Sequence, residues 1–169
     1  LMYQRFFAFI LTFALATQAY GEIKLPSLVV DDLNGRTMNL PADLPGNPTI
    51  VFIAFKQNQQ PLINAWVDRL GLLAQGGLYW VELPVVGRGA ALIRSVIDNG
   101  MRSGITSTAM RARTLTVYSN RRSFNSAMGI ADMSQVYVAL VDRDGAVRTM
   151  VSGAVTEGKV DKLRAAYKG

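Results

Sequence analysis

The apolar and polar positions along the chain divide it into alternating strands and helices. Leu28-Val29-Val30 and Met38-Asn39-Leu40 flank Asp31-Asp32-Leu33-Asn34-Gly35, and because an Asn-Gly pair readily accepts positive φ, the segment predicts a β-hairpin. Pro41, Pro45, Gly46 and Pro48 make a connector. Thr49-Ile50-Val51-Phe52-Ile53-Ala54-Phe55 is a β-branched and aromatic run without polar alternation, the pattern of a strand covered on both faces and so expected at the centre of a sheet. From Pro61, the residues Leu62, Ile63, Trp66, Leu70 and Leu73 recur at helical spacing as far as Gly76-Gly77. Pro at the first turn and Gly past the last are helix punctuation.

Leu78 to Leu83 predicts a second strand, ending at Pro84. Leu92, Ile93, Val96, Ile97 and Met101 then fall on one face of a helix that Gly100 or Gly104 ends. Residues 103–113 have no stable period and read as loop. Leu115 to Tyr118 predicts a strand and Arg121 to Met128 a short helix. Val136 to Val141, the turn Asp142-Arg143-Asp144-Gly145 and Ala146 to Val151 predict an antiparallel hairpin. Thr156 caps a last helix with Val160, Leu163 and Tyr167 on one side. Strands alternating with helices and closing on a hairpin imply an α/β domain with a mixed sheet.

Residues 1–21 stand apart. One charge, Arg5, precedes the run Phe6-Phe7-Ala8-Phe9-Ile10-Leu11-Thr12-Phe13-Ala14-Leu15-Ala16, and Ala19-Tyr20-Gly21 supplies small residues. That is the pattern of a secretory signal peptide, with cleavage expected after Ala19 or Gly21. The run is short for a transmembrane helix, which needs about 20 apolar residues. The expected location is therefore periplasmic or otherwise exported, without a transmembrane span after cleavage and membrane-anchored only if the segment is retained. Residues 22–169 are expected to form one domain of ordinary size.

Composition removes several chemistries. The chain has no Cys and no His, so thiol oxidoreductase and peroxidase activity are excluded, and metal or general-base sites lose their usual ligands. The four lysines sit in no Ser-x-x-Lys pattern, no pair of carboxylates suggests a glycosidase, and Asp142, Asp144 and Gly145 lack the spacing of a calcium loop. No catalytic residue, metal site or cofactor is expected. Lys and Arg number 18 against 12 Asp and Glu; that balance favours an acidic or membrane-associated partner. Nucleic acid is not expected, because no aromatic residues interleave with the basic ones.

Val30 to Gly35, Thr49 to Phe55 and Val138-Ala139-Leu140-Val141-Asp142-Arg143-Asp144-Gly145 resemble the entry hairpin, pre-loop strand and final hairpin of the peroxiredoxin and TlpA-type branch of the thioredoxin-like superfamily. The resemblance covers roughly residues 24–168 and implies a three-layer α/β/α sandwich with a mixed central sheet and an N-terminal β-hairpin. Where redox members of that superfamily carry their cysteines, this chain has Gln57 to Pro61. Where they carry a cis-proline, it has Met133-Ser134-Gln135. A narrower similarity, through Trp66, Gly100 to Ile105, Arg113 to Tyr118 and Tyr137 to Gly145, is to the mitochondrial ATP synthase assembly-factor family and its bacterial relatives. It implies a chaperone-like or assembly role.

Two stretches are candidate contact surfaces. Lys56, Gln57, Asn58, Gln59, Gln60 and Pro61 precede a helix whose first N–H groups favour an acceptor or anion, and are candidates for binding a protein partner in the cell envelope. A solvated loop with Gln60 near the helix cap is the alternative. Arg102, Arg111, Arg113, Arg121 and Arg122 surround a Ser/Thr-rich stretch and are candidates for anion binding, since Arg forks grip carboxylate and phosphate bidentately. The expected function is a non-catalytic exported binding or assembly module. The alternative is a cysteine-independent periplasmic enzyme or binding protein acting on a small anionic ligand through the arginine-rich region.

Overall fold

A computed structural model describes residues 22–74 and 76–168; the predicted leader, residues 1–21, lies outside the described residues. Seven strands form one mixed sheet in the order β2-β1-β5-β4-β3-β6-β7. They are β1 (Leu28–Asp32), β2 (Thr37–Leu40), β3 (Thr49–Ala54), β4 (Trp80–Gly87), β5 (Leu115–Ser119), β6 (Tyr137–Val141) and β7 (Val147–Ser152). The helices are α1 (Gln60–Leu70), α2 (Arg94–Gly104), α3 (Thr108–Arg111), α4 (Arg121–Ala127) and α5 (Glu157–Lys168).

The run predicted to be central is central. β3 pairs in parallel with β4 on one side and antiparallel with β6 on the other, and Ile50 to Ile53 are at most 1% exposed. Alternate residues feed two cores. Val51 and Ile53 join Val81, Leu83, Leu115 and Phe124 on one face. Ile50 and Phe52 join Trp66, Trp80, Leu140, Val160 and Leu163 beneath α1 and α5 on the other. The N-terminal hairpin turns where expected, with Gly35 at φ +87°. It docks through β1 antiparallel to β5.

Four boundaries differ from the sequence expectation. β4 runs through Pro84 to Gly87. Its ladder to β3 spans Ile50–Trp80 to Ala54–Pro84, and its pairing on the β5 side has a bridge at Glu82–Thr114 and resumes at Val85–Val117, so the missing proline N–H falls in the gap between the two pieces of that pairing. Helix α1 stops at Gly71 rather than at Gly76-Gly77. Gly71 takes the left-handed conformation at φ +68° and its N–H returns to the Val67 and Asp68 carbonyls; Leu73 is left 65% exposed. The stretch 103–113 contains the single turn α3, capped by the Ser107 hydroxyl accepting from the Met110 N–H. The helix expected over 92–101 is a 3-10 segment, Arg88–Ile93, followed by α2, and neither buries a residue.

Trp66 locks the helical layer to the sheet. It is fully buried and its Nε1–H donates to the Gly153 carbonyl at 2.9 Å, joining α1 to the corner between β7 and α5. Replacing Trp66 with Phe removes that donor and leaves a small void, so the loss in unfolding free energy is expected to be about 2 kcal/mol. A urea titration reads it directly, as a lower midpoint with an unchanged slope.

Candidate functional site

Because β3, β4 and β5 run parallel and β6 runs against them, one edge of the sheet gathers the segments after β3, β4 and β5 and the segment entering β6. Ligands of open α/β sheets bind at such an edge. Here it carries Lys56 to Pro61, the 3-10 segment from Arg88, Asn120 to Arg122, and Met133 to Gln135.

Gln59 organises this edge. It is 3% exposed. Its Oε1 accepts the N–H groups of Phe55 at 2.7 Å and Lys56 at 3.1 Å, and its Nε2 donates to the Met133 carbonyl at 3.1 Å. Phe55 and Lys56 lie just past the end of β3, where the ladder no longer serves their N–H groups. A carboxamide offers acceptor and donor at once, so a single side chain closes the elbow and ties it to the loop entering β6. The six candidate residues therefore divide: Lys56, Gln57, Asn58, Gln60 and Pro61 are exposed, while Gln59 is interior. A Gln three residues after the start of a helical segment is a capping signal visible in the sequence.

Behind the elbow lies a group that sequence reasoning missed. Glu82 is 5% exposed within β4, and its Oε2 accepts from Gln60 Nε2 at 3.3 Å. Burial pushes its carboxyl up from the ordinary glutamate range, against a smaller opposing effect of the Gln60 hydrogen bond. Its signal in the sequence was a lone acid inside the apolar run Tyr79 to Leu83.

α2 is amphipathic in reverse. Its polar residues face the protein: Arg94 pairs with Asp31 at 2.7 Å and stacks on the Tyr118 ring at 4.8 Å, and Asp98 accepts the Tyr118 hydroxyl at 2.8 Å. Burial first, and then the Asp98 carboxylate, hold the Tyr118 phenol well above its ordinary pKa. Outward-facing are Leu92, Ile93 and Val96, exposed by 94, 54 and 68%. Of the five residues expected on one face, Ile97 and Met101 are half-buried and the other three lie in solvent, because periodicity locates an apolar stripe without saying what covers it.

The five candidate arginines are not brought into one cluster. Arg102 donates to the Leu33 carbonyl and so staples α2 to the first hairpin, while Arg111 donates to the Ile105 and Arg102 carbonyls and closes the end of α2 onto α3. Arg113 lies over the Trp80 ring at 5.1 Å, before β5. Arg121, beyond the other end of β5, donates to the Val85 carbonyl, and its neighbour Arg122 is exposed. Among the described residues no group of acidic side chains could hold a metal ion.

This sheet order, with two helices on one face and a polar elbow after the central strand, can be set beside known structures. The chain has a thioredoxin-like fold. A Sco-family cytochrome c oxidase assembly protein, BsSco, matches with a TM-score of 0.57 at 13% identity, covering 87% of this chain and 95% of that one. A pneumococcal exposed lipoprotein thioredoxin from Streptococcus pneumoniae matches at 0.55 and 14% identity, covering 85% of this chain and 100% of that one. A thiol-disulfide oxidoreductase from Bacteroides fragilis matches at 0.50 and 13%, covering 84% and 98%. No family profile matches the sequence, and no curated protein matches it. The likeness is one of fold, and this chain has no cysteine with which to perform thiol exchange.

Two outcomes follow from the elbow. Gln59→Ala leaves the buried Phe55 N–H and the part-buried Lys56 N–H and Met133 carbonyl without their partner, and chemical denaturation is expected to show about 2 kcal/mol of lost stability. Glu82 acts through pH. The folded protein keeps a proton that the unfolded chain releases near pH 4.5, so stability falls as pH rises from there through the raised folded value. Glu82→Gln is expected to flatten that decline and to be more stable than the parent at pH 7. Urea midpoints collected from pH 4 to pH 8 decide it.

Proposed function

We propose that this protein is a non-catalytic, exported binding or assembly module that holds an acidic protein partner against the edge formed by the ends of β3, β4 and β5. One observation carries the reading. The outward face of the 88–104 region presents Leu92 and Ile93, at the end of the 3-10 segment, and Val96 on α2 to solvent, while the inward side of α2 is already occupied by polar contacts. Exposed clusters of large apolar side chains mark association surfaces. The segments at this edge also carry Lys56, Arg88, Arg121 and Arg122, while the acids beside the helix, Asp31 and Asp98, are already engaged by Arg94 and Tyr118, so the complementary surface is apolar at its centre and acidic at its rim.

The elbow supports the same reading. Its interior position holds a carboxamide engaged with three backbone groups, an arrangement that stabilises a surface and supplies no nucleophile. An assembly role is the finer form of the proposal. It agrees with the resemblance to ATP synthase assembly factors and with the fold shared with a cytochrome c oxidase assembly protein. Export rests on the character of residues 1–21.

The test is site-specific photo-crosslinking in the native host. A probe at Leu92 is expected to trap one defined envelope protein, whereas a probe at exposed Lys162 on α5 traps none. Leu92→Glu with Val96→Glu should weaken the complex at least tenfold and leave the melting temperature unchanged, since neither side chain is buried. Equal capture from both probe positions, or an unaltered affinity in the double variant, would contradict the proposal.

A further inference from the structure

The opposite edge of the sheet, where β3, β4 and β5 begin, holds a cleft of about 700 Å³. That volume lies in the range of small-molecule sites. Three arginines from segments distant in sequence converge on it: Arg36 from the first hairpin, Arg113 from before β5 and Arg143 from the β6–β7 turn. Asp43 is the one carboxylate in the lining, and it already accepts from the Asn39 backbone and side-chain N–H groups at 2.6 and 3.3 Å. The lining thus carries two positive charges more than negative.

The cationic groups are held in place. Arg113 is stacked on Trp80 and donates through Nη1 to the Trp80 carbonyl at 3.3 Å. Arg143 donates through Nε to the Leu44 carbonyl at 3.1 Å and through Nη2 to that of Pro45 at 3.4 Å. Arg36 has Nε 3.7 Å from Asp32 and Nη2 on the Met38 sulfur at 3.2 Å. A guanidinium has five N–H donors, so each of these anchors uses only some of them. The remaining donors are positioned in advance, which lowers the entropy lost when a ligand is gripped.

An aromatic wall completes the cleft. Tyr79 is 53% exposed, yet its ring lies directly on Gly46, where a Cβ would fall 2.4 Å from ring carbon Cδ2. Glycine at that position leaves room for the Tyr79 side chain against the backbone, and the half-exposed ring lines the cleft together with the arginines.

We propose that this cleft is a binding site for a small anion, a carboxylate or phosphate monoester, carried on a flat ring that stacks against Tyr79. It lies at the other end of the strands from the proposed partner surface and does not depend on it. The anionic group would be gripped by Arg113 and Arg143, with Arg36 closing the outer side.

Phenyl phosphate titrated into the ¹⁵N-labelled full chain, followed by NMR, tests the site. Saturable shifts at Tyr79, Trp80 and Arg113 are expected, with inorganic phosphate and benzyl alcohol each binding at least fivefold more weakly. Arg113→Gln should weaken phenyl phosphate at least tenfold. Because Arg113 also covers Trp80, Arg36→Gln and Tyr79→Ala, both at exposed positions, provide the same test without touching the core. No saturation, shifts centred elsewhere, or undiminished affinity in Arg36→Gln and Tyr79→Ala would overturn the proposal. So would a hexa-aspartate peptide binding the same residues tenfold more tightly than phenyl phosphate, which would make the cleft an acidic-protein contact.

Discussion

A strand buried on both faces and paired on both edges must still end, and where β3 ends the chain carries buried amides with no ladder left to serve them. Everything at the candidate edge follows from how this is resolved. Gln59 folds back so that its carbonyl serves Phe55 and Lys56, and its amino group reaches the loop before β6. The elbow, the start of α1 and the entry to β6 become one unit. In a fold used elsewhere for thiol exchange, the position after the central strand here serves cohesion instead.

The sequence was most legible where local chemistry and burial agree. The run from Thr49 to Phe55 could only be satisfied at the centre of a sheet, and the Asn-Gly turn and Pro61 marked their elements without help from the tertiary structure. It was least legible where a neighbour decides the outcome. Pro84 sits inside a strand because its missing N–H falls in a gap of the pairing with β5, between Glu82 and Val85. α1 stops at Gly71 because that glycine adopts the left-handed cap, a choice that the apolar spacing through Leu73 obscured. The arginine-rich stretch read as one anionic surface, yet two of its members are bound to backbone carbonyls near the first hairpin. Arg113 and Arg121 stand beyond opposite ends of β5.

α2 unites these lessons. The stripe of apolar residues running into it was plain in the sequence, but the interior side is held by Arg94, Asp98 and Tyr118, leaving Leu92, Ile93 and Val96 outside and Ile97 and Met101 half-buried. Ion pairs and hydrogen bonds of this kind give little net stability when partly exposed, so such an arrangement leaves the helix weakly held and its apolar face available. The two ends of the sheet are consequently different in character. One is broad, apolar and basic, and the other is a bounded cationic cleft with an aromatic wall.

Hydrogen exchange at the amides of Phe55 and Lys56 tests the central claim most directly, because no ladder protects them and only the Gln59 carbonyl does. The account predicts exchange as slow as that of Val51 and Phe52 inside β3, with all four opening only on global unfolding. Exchange of Phe55 and Lys56 at rates typical of exposed loops, while Val51 and Phe52 stay protected, would contradict it.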